Sequence, residues 1–289
     1  MKHIKILVSA IALMLTATSC DRLDVAGMFF SSGTHTEERV AQWLEWDAQH
    51  PATVITGAPD NYKVYVCSDI HLEGSVERVQ TFLRHEYADP MGLFSIINGD
   101  LANERGDRPF RQLDSLLKLA EAVDTCFVTI GNHDIYFDCQ QHFADYFHTS
   151  TYTVTVRTVS GKEDLFIFLD SGNATHGRRQ IKWLKEILQK RDQYRNVVVS
   201  THTCLFRTSY NYSTTPAANL PEEEYYELLD LMDKSDVSLF LMGHFHHKEN
   251  RIYGDVPYYM TDNLNEETDE PSYLVVTCGD GVGCLYEPL

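Results

Sequence analysis

The sequence predicts an α/β fold, because apolar stretches typical of buried strands alternate with amphipathic helical stretches along most of the chain. The strand-like stretches are rich in β-branched and aromatic residues, and several of them end directly before polar loop residues. The helical stretches carry apolar residues at intervals of three and four. With 289 residues the chain is long enough for one large domain or two small ones, and it shows no repeat and no sign of a second domain.

The alternating pattern gives a definite order of elements. The predicted strands are 64–67, 93–98, 125–130, 151–157, 164–170, 196–200, 238–242, 256–261, 273–278 and 284–287. The predicted helices are 36–46, 110–123, 180–189 and 221–231, the last one opened by Pro221 and acidic residues. Phe143 and Phe147 are spaced as on one helical face, which favours core positions over a role in binding.

Five of these strands end in side chains that bind metal ions. Since ligands bind at the carboxyl ends of strands in α/β sheets, we expect these side chains to meet at one edge. Carboxylate, amide and imidazole donors without a thiolate suit manganese, iron or zinc better than calcium. The set is too large for one tetrahedral ion and fits two ions that share a carboxylate. Its members are Asp69 and His71, Asp100, Asn132 and His133, His202, and His244 and His246.

The motifs D-x-H, G-D, G-N-H-D, a single His and G-H-x-H follow one another in that order between Asp69 and His246. One of them alone is weak evidence, since Gly131-Asn132-His133 could be an ordinary turn. Together they resemble the calcineurin-like metallophosphoesterase superfamily, as does the stretch 169–188. The resemblance implies a four-layer α/β sandwich of two mixed β-sheets flanked by helices, with a dimetal site at the C-terminal edge of the strands. It also implies hydrolysis of phosphoric esters by a metal-bridging hydroxide.

The resemblance further implies a role for each residue of the set. Asp69, His71 and His246 would hold one ion, Asn132, His202 and His244 the other, and Asp100 would bridge the two divalent or trivalent ions. His133 would be the catalytic histidine that contacts the phosphate and helps the leaving group. Asn103 stands where many relatives have an acid paired with that histidine, so it can orient an imidazole but cannot stabilise its cation. Thr203 and Cys204 follow the single histidine where relatives often have a proline two residues on.

Other polar residues favour structural roles. Four histidines, His85, His142, His148 and His176, lack partner motifs and are interpreted as surface or core residues. His247 could replace His246 only if its loop turned differently. The run Glu222-Glu223-Glu224 is interpreted as a solvated helix start, and the loop 208–218 is either a substrate rim or disordered.

The N-terminus has the layout of an export signal. Lys2 and Lys5 precede a short apolar run, 6–15, and small residues then lead to Cys20. This resembles a bacterial lipoprotein signal, although Ala17 stands where Leu is more common; a plain secretory signal or an uncleaved anchor are the alternatives. We therefore expect a signal peptide at 1–19, a lipid tether and N-terminal arm at 20–61, and a metallophosphoesterase domain at 62–289. The protein would be lipid-anchored in the bacterial cell envelope.

Charge and cysteine content narrow the possible partners. A formal charge of −18 argues against nucleic acid as a partner, since the sequence offers no Lys/Arg-rich surface for a phosphate backbone. Bound metal would let an acidic protein bind a small phosphate ester. Without a lipidated Cys20, six of the seven cysteines remain. Cys67 and Cys126 fit buried positions, and Cys278 and Cys284 are expected to be free thiols, with a bridge across their turn as the alternative.

These observations lead to a metal-dependent hydrolase of phosphoric esters, a phosphodiesterase or phosphomonoesterase acting on small molecules. Protein substrates rank last, because His133 and Asp134 stand where protein phosphatases have an arginine. The alternative is a catalytically silent metal-binding envelope lipoprotein of the same fold. The sequence does not indicate the oligomeric state.

Overall fold

The structure is a computed structural model that describes residues 33–72, 76–103, 105–122, 125–206, 220–265 and 268–289. Its helices are α1 Gly33–Gln49, α2 Val76–Ala88, α3 Arg108–Leu119, α4 Gln140–Phe147, α5 Gly177–Leu188 and α6 Glu222–Lys234. Its strands are β1 Thr53–Ala58, β2 Tyr62–Cys67, β3 Gly92–Asn98, β4 Cys126–Thr129, β5 Tyr152–Thr158, β6 Glu163–Leu169, β7 Asn196–Thr201, β8 Leu239–Met242, β9 Glu249–Tyr253, β10 Val256–Met260, β11 Ser272–Cys278 and β12 Val282–Pro288. Short 3₁₀ helices lie at His133–Asp138 and Arg191–Gln193.

The strands form two mixed sheets. The seven-stranded sheet has the order β1-β5-β6-β7-β8-β10-β9, and the five-stranded sheet has the order β12-β11-β2-β3-β4. Within them β2, β3 and β4 are mutually parallel, as are β6, β7 and β8, while β11 runs antiparallel to β2. Helices cover the outer faces, so the predicted α/β architecture with two mixed sheets flanked by helices is confirmed.

The period of the strands explains how the layers pack. Side chains alternate between the two faces of a strand, and the central strands here are apolar on both. In β2, Val64 and Val66 face the other sheet, whereas Tyr65 and Cys67 belong to the core under the helices. Phe166 and Phe168 of β6 complete the core between the sheets. Burial on both faces makes these strands read as continuous apolar runs.

Three elements were not predicted from the sequence. β1 is an edge strand that pairs in parallel with β5, and most of its residues are exposed, so it lacks an apolar pattern. β9 is likewise an exposed edge strand, paired with β10. α2 buries only Val79, Phe82 and Leu83 among its apolar residues. The expected helix 110–123 ends earlier, at Leu119, and Glu121 has a left-handed φ of 54°.

A buried polar cluster joins the two sheets at the amino ends of their strands. We call Tyr62, Asp164, Arg195 and Asn196 the amino-end cluster. Asp164 is fully buried and accepts hydrogen bonds from Tyr62 Oη at 2.8 Å, Arg195 Nε at 2.9 Å and Asn196 Nδ2 at 2.9 Å. Since Tyr62 is the first residue of β2 and Asp164 the second residue of β6, these bonds connect one sheet to the other.

Two further sequence expectations concern cysteines and loops. Cys278 and Cys284 are free thiols, and the register of β11 and β12 places Cys278 opposite Val282 and Cys284 opposite Val276. The loop 208–218, the signal peptide and Cys20 lie outside the described residues. In the part of the chain that the structure describes, no helix has the length and apolar character needed to cross a bilayer.

Candidate dimetal centre

The predicted metal-binding residues follow the carboxyl ends of five strands and come together where the two sheets meet. They are Asp69 and His71 after β2, Asp100 after β3, Asn132 after β4, His202 after β7, and His244 and His246 after β8. Backbone bonds hold these loops side by side beyond the strands. The amides of Asp69 and His71 donate to Gly99 O and Asp100 O, both at 3.0 Å, and Gly243 N donates to His202 O at 2.8 Å.

Five of these residues have left-handed backbone angles, which non-glycine residues rarely adopt. They are Asp69 (φ 52°), His71 (39°), Asp100 (52°), His244 (81°) and His246 (57°). Such angles persist where the surrounding structure enforces them, and they cluster at functional sites. Close approach demands glycine nearby: a Cβ on Gly131 would lie 2.2 Å from Asp100 Oδ1.

One cluster of donor atoms consists of Asp69, His71, Asp100 and His246, all within 4.8 Å of one another. His246 Nε2 lies 3.3 Å from both Asp69 Oδ1 and His71 Nε2, and His71 Nε2 lies 3.9 Å from Asp100 Oδ2. Asp69 Oδ2 accepts a bond from His244 N at 3.0 Å, but buried Asp69 Oδ1 accepts none. A buried carboxylate oxygen without a donor is the position where a cation is needed.

A second cluster consists of Asp100, His202 and His244. His202 Nε2 lies 3.4 Å from Asp100 Oδ1 and 3.2 Å from His244 Nδ1. The amide oxygen of Asn132 is 3.0 Å from His202 Nε2, so it adds a donor to this group. Asp100 belongs to both clusters, as a bridging ligand would.

The imidazole orientations fit a metal. His71 Nδ1 lies 3.3 Å from Ala102 O and His202 Nδ1 lies 2.8 Å from Asn98 O. A carbonyl oxygen only accepts, so both Nδ1 atoms carry the proton and both Nε2 atoms present lone pairs to the centre when the rings are neutral. Lone pairs converging with two carboxylates match the donor set of Mn, Fe or Zn. The residues present therefore fit two metal ions.

The electrostatics of the site agree with this. Burial lowers the pKa of His71 and of His244 to about 4, so both rings are neutral near pH 7. Burial alone would raise the pKa of Asp69 and Asp100, but the neighbouring His246 and His202 outweigh it and hold both well below the usual range. For His202, burial opposes a positive charge, yet the charge of Asp100 raises its pKa to about 10. The centre thus stabilises a cation, either a proton or a metal ion.

Asp134, the last residue of G-N-H-D, has a supporting role that the sequence interpretation did not assign. Its Oδ1 accepts bonds from Leu101 N and Ala102 N at 2.9 Å, and its Oδ2 accepts one from Gly131 N at 2.8 Å. Burial and the charge of Asp100 raise its pKa to about 7. Asp134 therefore ties the loop after β3 to the loop after β4.

His133 lies at the edge of the centre, half-buried. Its backbone N donates to Asp100 Oδ1 at 2.8 Å, and its ring centroid is 4.8 Å from that of His71 and 5.2 Å from that of Tyr136. Asn103 is half-buried, and among the described residues no hydrogen bond joins it to His133. Tyr136 was not identified from the sequence: its Oη accepts a bond from Asn132 Nδ2 at 3.0 Å, which turns the amide oxygen of Asn132 toward the centre.

Residues outside the centre mostly have the expected structural roles. His247 bonds Phe245 O and lies 3.3 Å from Glu249, so it points away from the ligand position of His246. His176 is buried, as a core histidine. The interpretation of Glu224 as solvated was wrong: it bonds Thr175 Oγ1 at 2.6 Å and His176 Nδ1 at 2.8 Å, because the first turn of α6 packs against the loop before α5.

The family model for the calcineurin-like phosphoesterase matches residues 62–248. The chain therefore belongs to this family, whose members are phosphoric ester hydrolases with a dinuclear metal site. A search of curated protein sequences gives no match.

Several solved structures share this fold. A dimetal phosphatase from Danio rerio superposes with a TM-score of 0.59 at 12% identity, covering 78% of this chain and 98% of that one. The inner membrane complex anchor GAP50 of Plasmodium gives 0.57 at 13% identity, covering 79% and 84%. The purple acid phosphatase PPD1 from yellow lupin seeds gives 0.55 at 12% identity, covering 80% and 52%. At these identities the likeness shows the fold alone.

Proposed function

We propose that this phosphoesterase hydrolyses phosphate mono- or diesters of small molecules with two metal ions. The observation that carries the proposal is the pair of donor clusters that share Asp100. In this assignment one ion is held by Asp69, His71, Asp100 and His246, and the other by Asp100, Asn132, His202 and His244. The oxygen and imidazole donors favour Mn, Fe or Zn.

The chemistry that two bound metal ions would supply is positive charge for the phosphate oxygens and a water of lowered pKa. The protein contributes geometry and proton transfer. His133 lies at the edge of the centre with its ring beside that of His71, a position from which it would bond a phosphate oxygen and protonate the leaving oxygen. Asn103 has an orienting role at most, because an amide cannot stabilise an imidazolium. Asp134 and Tyr136 keep the surrounding loops and the Asn132 amide in place.

The alternative is a protein that kept its ligands without turnover. The Plasmodium neighbour is named as an anchor, so this fold also occurs in a protein whose name describes anchoring rather than catalysis. Retention of the whole ligand set together with His133 favours an enzyme. The zebrafish and lupin neighbours, both named as phosphatases, support the same choice.

We also propose that the protein is anchored in a bacterial envelope through a lipidated Cys20. The support is the basic start, the short apolar run and the cysteine at its end. Intact-mass measurement after expression of the full-length gene in a bacterial host tests this. Acyl groups on an N-terminal Cys20 support the anchor, and an unmodified Cys20 contradicts it.

The function is tested with full-length protein loaded with Mn²⁺, Fe²⁺ or Zn²⁺ and assayed against a panel of phosphate mono- and diesters. We expect hydrolysis that a chelator abolishes. Asp100→Asn should reduce the rate by more than about 100-fold, because losing even a hydrogen-bond partner of a metal ligand costs up to about 100-fold. Asp145→Asn is the matched control, since that carboxylate is exposed on α4. A protein that holds two ions but hydrolyses no ester contradicts the proposal.

A further inference from the structure

Helix α1 lies outside the segment 62–248 that the family model matches, yet it contributes buried side chains to the interior, among them Arg39 and Trp43. Arg39 is 6% exposed and Trp43 is 2% exposed. Both bond the fully buried carboxylate of Asp170, which follows β6. An element that precedes the family domain thus contributes a buried charge to it.

The carboxylate of Asp170 has a full set of partners. Arg39 Nε and Nη2 donate to its two oxygens at 2.6 and 2.8 Å, Trp43 Nε1 donates at 2.8 Å, and Gly172 N donates at 3.0 Å. Arg39 Nη1 also donates to Asn173 Oδ1 at 2.7 Å. Arg39 therefore bonds both ends of residues 170–173, which we call the Asp170 loop.

The Asp170 loop holds the segment that carries His202. Ser171 Oγ accepts bonds from Thr203 N and from Thr201 Oγ1, both at 2.8 Å, and Thr203 Oγ1 donates to Ser171 O at 2.9 Å. Thr201 and Thr203 are the two chain neighbours of His202. Ser171 thus holds the backbone on both sides of His202 through its bonds to Thr201 and Thr203.

The same loop also contacts the segment that carries Asn132. A Cβ added to Gly172 would lie 3.0 Å from Gly131 O and 3.2 Å from Ile135 Cγ2. Gly131 immediately precedes Asn132. The Asp170 loop therefore contacts the segments that supply Asn132 and His202, two of the three ligands assigned to the second ion and not to the first.

We propose that α1 is a positioning element for the second metal site, acting from Arg39 through the Asp170 loop to His202 and Asn132. The proposal rests on the ligand assignment in the proposed function but does not depend on turnover. Net stabilisation is a weaker explanation, because a buried ion pair often contributes no more than well-packed apolar residues of similar volume. A bidentate arginine is better explained by geometry, because its two parallel bonds hold the Asp170 carboxylate, and with it the Asp170 loop, in one orientation.

The test compares Arg39→Gln and Arg39→Lys with Arg179→Gln in the full-length protein. Arg179 on α5 pairs with Glu37 on α1 at 3.7 Å, so it too is an ion pair of α1, but its side chain is 57% exposed. Metal content is measured by elemental analysis, the two affinities by chelator competition with Mn²⁺ or Zn²⁺, and folding by circular dichroism and thermal unfolding.

We expect Arg39→Gln to weaken the second ion about tenfold or more, as loss of an outer-shell partner does, while the first ion keeps its affinity. Arg39→Lys should recover part of the loss, since it keeps the charge without the bidentate geometry. Arg179→Gln should bind both ions as the unaltered protein does.

Unchanged affinity for both ions in folded Arg39→Gln overturns the proposal, and so does an equal loss of both, which indicates general destabilisation. If Arg39→Gln does not fold, Trp43→Phe decides, because it removes the hydrogen bond from α1 to Asp170 Oδ2 while keeping an aromatic ring, and it should also weaken the second ion alone. Unaltered protein that binds two ions without hydrolysing esters contradicts the proposed function but not this inference. If the unaltered protein binds fewer than two ions, both the ligand assignment and the positioning role of α1 are overturned.

Discussion

A buried polar cluster lies at each end of the strands. The two clusters differ in whether protein donors satisfy all the buried carboxylate oxygens. At the amino-end cluster, Asp164 is neutralised by Arg195 and both of its oxygens accept hydrogen bonds from protein donors. At the carboxyl ends, Asp69 Oδ1 accepts none and imidazole nitrogens face one another at 3.2–3.3 Å. The first cluster stabilises the fold by itself, whereas the second leaves a place for cations.

This difference gives a physical criterion for function. Buried polar groups are normally satisfied, so those that lack a donor and occupy unfavourable backbone angles need an explanation. The dimetal centre shows both features, and the amino-end cluster shows neither. Substitutions at the two ends should therefore affect different quantities, chemistry at one and unfolding free energy at the other.

The largest effect is expected for His133→Ala on esters with poor leaving groups. A positioned general acid contributes about 10²–10⁴ in rate when the leaving oxygen needs a proton. The variant should therefore lose that factor on alkyl phosphate esters and far less on p-nitrophenyl esters, at unchanged metal content. Steady-state rates on both ester types measure it.

Asn132→Ala serves as the comparison for His133→Ala, since it should lose the second ion and slow both ester types alike. Equal losses for His133→Ala on the two ester types at full metal occupancy would contradict the general-acid role. They would leave His133 as a hydrogen-bond donor to the phosphate.

The next effect tests the other end of the comparison. Asp164→Asn leaves Arg195 without its buried counter-charge, which typically costs about 3–5 kcal/mol of unfolding free energy. Metal affinity should stay unchanged. Denaturant unfolding and chelator competition measure the two quantities.

Asp280→Asn is the matched control for Asp164→Asn. Its pair with Lys162, at 2.6 Å, is solvent-exposed and should contribute little to the unfolding free energy. A similar loss of unfolding free energy in both variants, or weaker metal binding in Asp164→Asn, would contradict the proposed difference between the two clusters.

A smaller effect is expected for Tyr136→Phe. The substitution keeps the ring beside His133 but removes the acceptor for Asn132 Nδ2. The affinity for the second ion should fall about tenfold, the lower cost of losing an outer-shell partner. Chelator competition measures this, and an unchanged affinity would show that Asn132 is oriented without the tyrosine.

The smallest effect concerns Glu86, a buried carboxyl group on α2 that belongs to neither cluster. Burial raises its pKa from 4.5 to about 7. A raised pKa in the folded state stabilises the protein below pH 4.5, and that contribution is lost as the pH rises toward 7. Allowing for partial solvation, we expect about 1 kcal/mol more loss of stability between pH 5 and 8 than in Glu86→Gln. Parallel pH profiles would contradict this.

The sequence was sufficient to predict the elements whose burial is visible in the local pattern of apolar residues. The central strands and the residues after them could be predicted because a buried strand reads as an apolar run and its loop follows directly. The strand-end motifs likewise lie in contiguous residues. Local pattern therefore determined the core and the candidate metal ligands.

Other features depend on pairs far apart in the chain. Arg39 and Asp170 are 131 residues apart, and Tyr62 and Asp164 are 102 apart, so no local pattern links them. β1 was missed because an exposed edge strand is specified by its pairing with β5 rather than by burial. Glu224 was misinterpreted because its partner His176 lies in a preceding loop.

The left-handed backbone at five ligand positions bears on how this centre could be retuned for other metals. Asp, Asn and His are the side chains that adopt left-handed angles most readily after glycine, and they are also metal ligands. Exchanges such as His244→Asn or His246→Asp therefore alter ligand charge and softness with little backbone penalty. A β-branched residue at the same positions is disfavoured by the backbone. The left-handed backbone thus restricts these positions to a few residue types, but exchanges among those types would change which metal ion the centre prefers.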